Sequence, residues 1–116
     1  MSETEIHDWI RKQVADNDVV LFMKGTRQFP QCGFSSQVVQ ILDYLGVKYH
    51  EVNVLEDVSL RDGVKSFTNW PTIPQLYIKG EFVGGCDIIR EMFQANELQT
   101  MLTERGVAHD QQTQMA

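Results

Sequence analysis

The run VVLFM, Val19–Met23, contains no polar residue and lies between two amphipathic segments. Five apolar side chains in a row cannot alternate between core and solvent, so as a strand this run must be covered on both faces. The flanking periods supply the cover. Upstream, Ser2 and Glu5 have capping-box spacing ahead of Ile6, Trp9, Ile10 and Val14, which predicts a helix to about Asn17. Downstream, Phe34, Val38, Ile41, Leu42 and Leu45 give the core face of a helix over about 33–45, stopped by Gly46. Residues 49–54 alternate as a second strand. Residues 58–67 read as a shorter helix, weakened at Gly63 by roughly 1 kcal/mol relative to alanine. QLYI from Gln75 and EFVGG from Glu81 read as strands joined by a tight hairpin at Lys79 and Gly80. Helices over about 87–94 and 98–105 close the domain, and residues 106–116, ending VAHDQQTQMA, read as a disordered tail.

The order α-β-α-β-α-β-β-α-α builds an α/β fold, a four-stranded mixed sheet with helices on both faces. It places the loop after the first strand at the carboxyl edge of the sheet, where such folds bind ligands. A chain of 116 residues, 42% hydrophobic, buries a core of its own as one domain over residues 1–105. The formal charge of -6 argues against nucleic acid or an anionic membrane surface as a partner. The acidic start MSETEIHDW has no apolar signal region, and no apolar run is long enough to span a bilayer, so a cytoplasmic protein is expected. Two cysteines far apart, Cys32 and Cys86, form neither a disulfide framework nor a zinc spacing, which fits a reducing compartment. His7, His50 and His109 are too scattered to form a histidine metal site.

Cys32 stands in the loop at the carboxyl edge, on the turn FPQCGFSS at a helix start. Helix N-H groups, the macrodipole and the preceding Lys24 and Arg27 all favour a thiolate there. A Cys-x-x-Cys at this place would be a redox pair, but the second position is Ser35, which forms no disulfide. A buried, inert cysteine is the competing reading, and a loop flanked by Pro30 and Gly33 is a poor place for one. Cys86 follows two glycines at another helix start and reads equally as thiolate or as packing. In WPTIPQL, residues 70–76, Ile73-Pro74 is a candidate cis peptide that would offer the backbone of Ile73 to an extended peptide; a rigid turn with nothing bound is the alternative. Asp87 in GGCD is either a helix cap or an acceptor for an ammonium on an amide-rich turn. Arg61 and Lys65, four apart on one helix face, read ordinarily as solvated surface.

Together, MKGTRQFPQCGFS, WPTIPQL and GGCD resemble the monothiol glutaredoxins of the CGFS type, and the likeness runs from about residue 5 to residue 105. The resemblance implies a thioredoxin-like fold with glutathione beside Cys32. Lys24 and Arg61, assisted by Lys65, would hold its glycine carboxylate. Ile73, ahead of cis Pro74, would pair with its cysteinyl backbone. Gly85, Cys86 and Asp87 would take its γ-glutamyl end, and Phe34 would shape the site. The resemblance further implies a homodimer bridged by a 2Fe-2S cluster on Cys32 and glutathione, a BolA-like partner, and iron-sulfur acceptor proteins. Two other roles compete: a one-thiol reductase that removes glutathione from protein thiols, and a redox-inert interaction module.

Overall fold

The computed structural model describes residues 2–110. Its elements are α1 (Glu3–Asp16), β1 (Val19–Met23), α2 (Gly33–Tyr44), β2 (His50–Asn53), α3 (Val58–Thr68), β3 (Gln75–Ile78), β4 (Glu81–Gly84), α4 (Cys86–Gln94) and α5 (Glu97–Glu104). A short 3-10 turn, Val54–Glu56, follows β2, where the alternation had suggested one more strand residue. The sheet order is β2-β1-β3-β4, with β1 parallel to β2 and antiparallel to β3. This is a mixed four-stranded sheet of the thioredoxin-like type.

All five residues of β1 are buried, and they divide between two cores. Val19, Leu21 and Met23 pack with α2, α4 and α5, whereas Val20 and Phe22 face α1 and α3. A period of two on a strand with no polar residue therefore feeds both helical layers at once. Removing a fully buried member such as Leu42 should cost about 2–5 kcal/mol, the lost transfer energy plus the cavity. Ser2 and Glu5 form the predicted capping box at the start of α1. The hairpin turn has Lys79 and Gly80 both at positive φ, which matches the right-handed twist of its strands.

Three expectations change. Phe34, assigned to the core face of α2, is 57% exposed: it stands in the first turn of that helix, where it lines a surface cleft instead of the core. Gly63 does weaken α3 intrinsically, but a Cβ there would collide with Ile6 Cγ2, so the glycine is what lets α1 lie against α3. Residues 107–110 pack rather than trail away. Gly106, at φ 72°, donates to the Thr103 carbonyl, and Val107 N-H donates to that of Leu102. That closes a Schellman motif and turns Val107 into the core. Residues 111–116 of the expected tail lie outside the described residues.

Candidate functional site

The loop between β1 and α2 is a braced structure. Thr26 and Phe29 exchange two backbone hydrogen bonds of 3.2 and 3.1 Å, and Gln31 N-H donates to the Lys24 carbonyl at 2.9 Å. Asn53, at the end of β2, accepts from the N-H groups of Gly25 and Leu55, both at 2.9 Å, and so ties this loop to the neighbouring strand. Arg27 is drawn away from Cys32. Its guanidinium pairs with Asp43 at 2.8 Å and lies over the Tyr49 ring, while its backbone N-H donates to Glu51. The expected help of Arg27 to the thiolate is thus corrected: its partners anchor the loop instead.

Cys32 is the N-cap of α2, half-buried and free. Backbone N-H donation from Ser35 holds its thiol below the ordinary range against the opposing effect of burial; Phe34 N-H, the Lys24 charge and the Ser35 hydroxyl add to the lowering. The first turn of the helix supplies most of the effect, and Lys24 a smaller part. Ser35 is fully buried, and its Oγ accepts from Lys24 N-H at 3.1 Å. The place of a resolving thiol is therefore filled by a hydroxyl that fastens α2 to the end of β1.

Cys86 differs in every respect. It is 7% exposed, its Sγ-H donates to Gln37 Oε1 at 3.5 Å, and burial pushes its thiol up. Alkylation should separate the two thiols. The rate at Cys32 should level off at a pH below the ~8.5 midpoint of a free cysteine, and Cys86 should react more slowly and only at higher pH. Coincident pH curves in a mass-resolved assay would refute the assignment.

At the first turn of α2, which Cys32 caps, lies a cleft of about 230 Å³ lined by Phe34, Trp70, Thr72, Ile73, Pro74, Gly85, Cys86, Asp87 and Ile88; Cys32 and Lys24 are not among its lining residues. Six of the expected residues thus come together there: Phe34, Ile73, Pro74, Gly85, Cys86 and Asp87. The Ile73-Pro74 peptide is cis, and among the described residues no backbone hydrogen bond outside the regular elements engages Ile73. A Cβ on Gly85 would stand 3.3 Å from both the Pro74 carbonyl and Trp70 Nε1, so any larger residue crowds this wall. Asp87 pairs with Arg90 at 3.2 Å, and Arg90 also donates to Gln37 at 3.2 Å. Arg61 and Lys65 do not line the cleft. Both are half-buried on α3, whose last turn leads to it through Trp70 N-H on the Lys65 carbonyl at 3.2 Å. Arg61 Nε is buried with no hydrogen-bond partner among the described residues.

The sequence reading missed two side chains of this site, Gln37 and Gln75. Gln37 links the cysteine helix to the Cys86 turn. Gln75 is fully buried, and its Nε2 donates to the carbonyls of Trp70 and Thr72 at 3.1 Å each. A signal existed for the second: it is a polar residue opening a strand that is otherwise apolar.

The Glutaredoxin family pattern matches residues 19–83. A probable monothiol glutaredoxin 2 of Rickettsia typhi is 53% identical over 90% of this chain and 94% of its own length. This chain is a monothiol member of the glutaredoxin family. Among solved structures, reduced apo GrxS14 of poplar superposes with TM-score 0.79 at 50% identity, covering 90% of this glutaredoxin and 97% of the other chain. A buckwheat glutaredoxin–glutathione complex gives TM-score 0.79 at 27% identity, over 90% of this glutaredoxin and 93% of the other. Among the described residues of this glutaredoxin there is no group of three or more His, Cys, Asp or Glu able to hold a metal ion, and no helix long and apolar enough to cross a membrane.

Proposed function

We propose that this glutaredoxin is a glutathione-dependent carrier that receives a 2Fe-2S cluster between two subunits and passes it to acceptor proteins. The division of labour between its thiols carries the reading: Cys32 is accessible with its thiolate favoured, and Cys86 is buried against Gln37. A 2Fe-2S cluster ordinarily takes four thiolates. One accessible thiol per chain gives two from a homodimer, so two more must come from bound glutathione. Ligands of that kind leave without unfolding either subunit, which suits a cargo that is handed on. A BolA-like protein in place of the second subunit, and a reducing setting such as the cytoplasm, belong to the same proposal.

The residues present fit glutathione. Its peptide backbone needs a donor and an acceptor, and the Ile73 N-H and C=O have no backbone partner among the described residues. Its γ-glutamyl ammonium and carboxylate suit Asp87 and the amides of the Gly85-Cys86 turn at the start of α4. Its glycine carboxylate suits Lys24 and Arg61, with Lys65 assisting, and Phe34 covers the cleft beside the thiolate. The glutathione complex of the buckwheat relative supports the choice of ligand. Glutathione would supply a thiolate, and the chain's residues would hold it while the first turn of α2 favours the Cys32 thiolate. A second reading rests on the same thiolate: Cys32 attacks a glutathionylated protein, takes the glutathionyl group, and a free glutathione thiolate then displaces it as glutathione disulfide.

Charge substitutions test the site. Lys24→Ala and Arg61→Ala should each weaken glutathione binding roughly 2–5-fold and flatten its salt dependence, as loss of a partly exposed ion pair does. Lys79→Ala should do neither, since Lys79 is paired with Asp18 at 3.0 Å on the β3–β4 hairpin. Equal losses in all three variants, measured by calorimetry, would mean that only the general field of the protein attracts glutathione.

A further inference from the structure

Gln75 is the largest polar side chain buried completely among the described residues, and its Oε1 has no hydrogen-bond partner there. An unpaired buried carbonyl opposes folding, and a leucine would avoid that cost in a strand that reads QLYI. The compensating gain lies in the other half of the amide. Both Nε2 protons go to carbonyls of one loop, those of Trp70 and Thr72. With these two carbonyls turned inward, Ile73 follows with its N-H and C=O unengaged among the described residues, and Trp70 and Thr72 line the cleft. The other end of the loop is held independently, since Trp70 N-H reaches Lys65 O and Thr68 Oγ1, both at 3.2 Å.

We infer that Gln75 is a positioning residue for the peptide ligand: its side-chain amide sets residues 70–74 so that the Ile73 backbone meets the cysteinyl backbone of glutathione. The inference rests on the glutathione reading above and adds the group that makes that backbone available. Gln75 touches no ligand itself. It acts through the loop, so its effect should depend on whether the ligand has a peptide backbone to be read.

The test is an exchange equilibrium at Cys32, read by mass spectrometry on the peptide that carries Cys32 so that Cys86 does not report. The Cys32–glutathione mixed disulfide reacts with 2-mercaptoethanol to give the Cys32–mercaptoethanol mixed disulfide and free glutathione, one disulfide broken and one formed. The protein with Gln75 should favour glutathione, and Gln75→Met should lower that preference about tenfold, while the alkylation pH profile of Cys32 stays in place. An unchanged preference in a folded Gln75→Met protein overturns the inference and leaves the glutathione site standing. A parent with no preference overturns the glutathione reading, and this inference with it. Should Gln75→Met fail to fold, amide exchange by NMR in the unaltered protein decides. The Gln75 side-chain protons should exchange slowly even without ligand, and the Ile73 amide should gain protection only when glutathione is added. Gln75 side-chain exchange as fast as that of a solvent-exposed glutamine overturns the positioning role.

Discussion

Cys32→Ser should abolish cluster assembly in anaerobic reconstitution with iron, sulfide and glutathione, whereas Cys86→Ser should retain most of it. The hydroxyl of serine does not ionise near neutral pH, so each subunit would lose its one accessible thiolate ligand and the set of four would drop to two. Cys86 is 7% exposed and directed at Gln37, and burial pushes its thiol up, so it would have to leave its packed position to reach a cluster. Visible absorption and iron content per chain would score both variants. A Cys86→Ser protein as colourless as Cys32→Ser would place both thiols in the ligand set and remove the need for glutathione.

If the protein carries a cluster as proposed, Ser35→Cys should shift it toward dithiol redox chemistry. The introduced thiol would sit three residues after Cys32 in the first turn of α2, where the Ser35 backbone N-H and hydroxyl already help to hold the Cys32 thiolate. It would attack a Cys32–glutathione mixed disulfide, form the intramolecular disulfide and release glutathione. Under mild oxidant the cluster yield should fall at least about fivefold, with dithiol reductase activity appearing. The hydroxyl that accepts from Lys24 N-H would also be lost, and sulfur is a weak acceptor, so stability should fall by about 1 kcal/mol. A variant that keeps its full cluster under oxidising conditions would show that the serine does not protect the metal site.

Much of this architecture is written in local patterns. The unbroken apolar run of β1, the capping box of α1, the Lys79-Gly80 turn and the cis bond ahead of Pro74 each follow from chemistry confined to a few residues. What the sequence hid was set by distant packing. Gly63 looks like a flaw in a helix until Ile6 is placed against it, and Arg27 looks like a partner for Cys32 until Asp43 and Tyr49 claim it. Phe34 shows the limit of periodicity, which counts a helix face without knowing that its first turn borders a cleft. The fold-back at Val107 has a local signal: Gly106-Val107 repeats Gly46-Val47, where Gly46 donates to the Asp43 carbonyl and Val47 to that of Leu42 in the same motif. For the site, the motifs hold every residue that lines the cleft except Ile88, whereas Lys24, Arg61 and Lys65 do not line it. The two buried amides that organise it, Gln37 and Gln75, have partners far away or on backbone carbonyls, which no spacing reveals.

The central claim is that two chains share one cluster with glutathione as a ligand, and native mass spectrometry of the anaerobically reconstituted protein measures it directly. The account predicts a coloured dimer that carries two irons, two sulfides and two glutathiones, and that reverts to colourless monomers when glutathione is removed by gel filtration. A cluster-bearing dimer with no glutathione in its mass, or an iron-free monomer under conditions where glutathione binds, would contradict it.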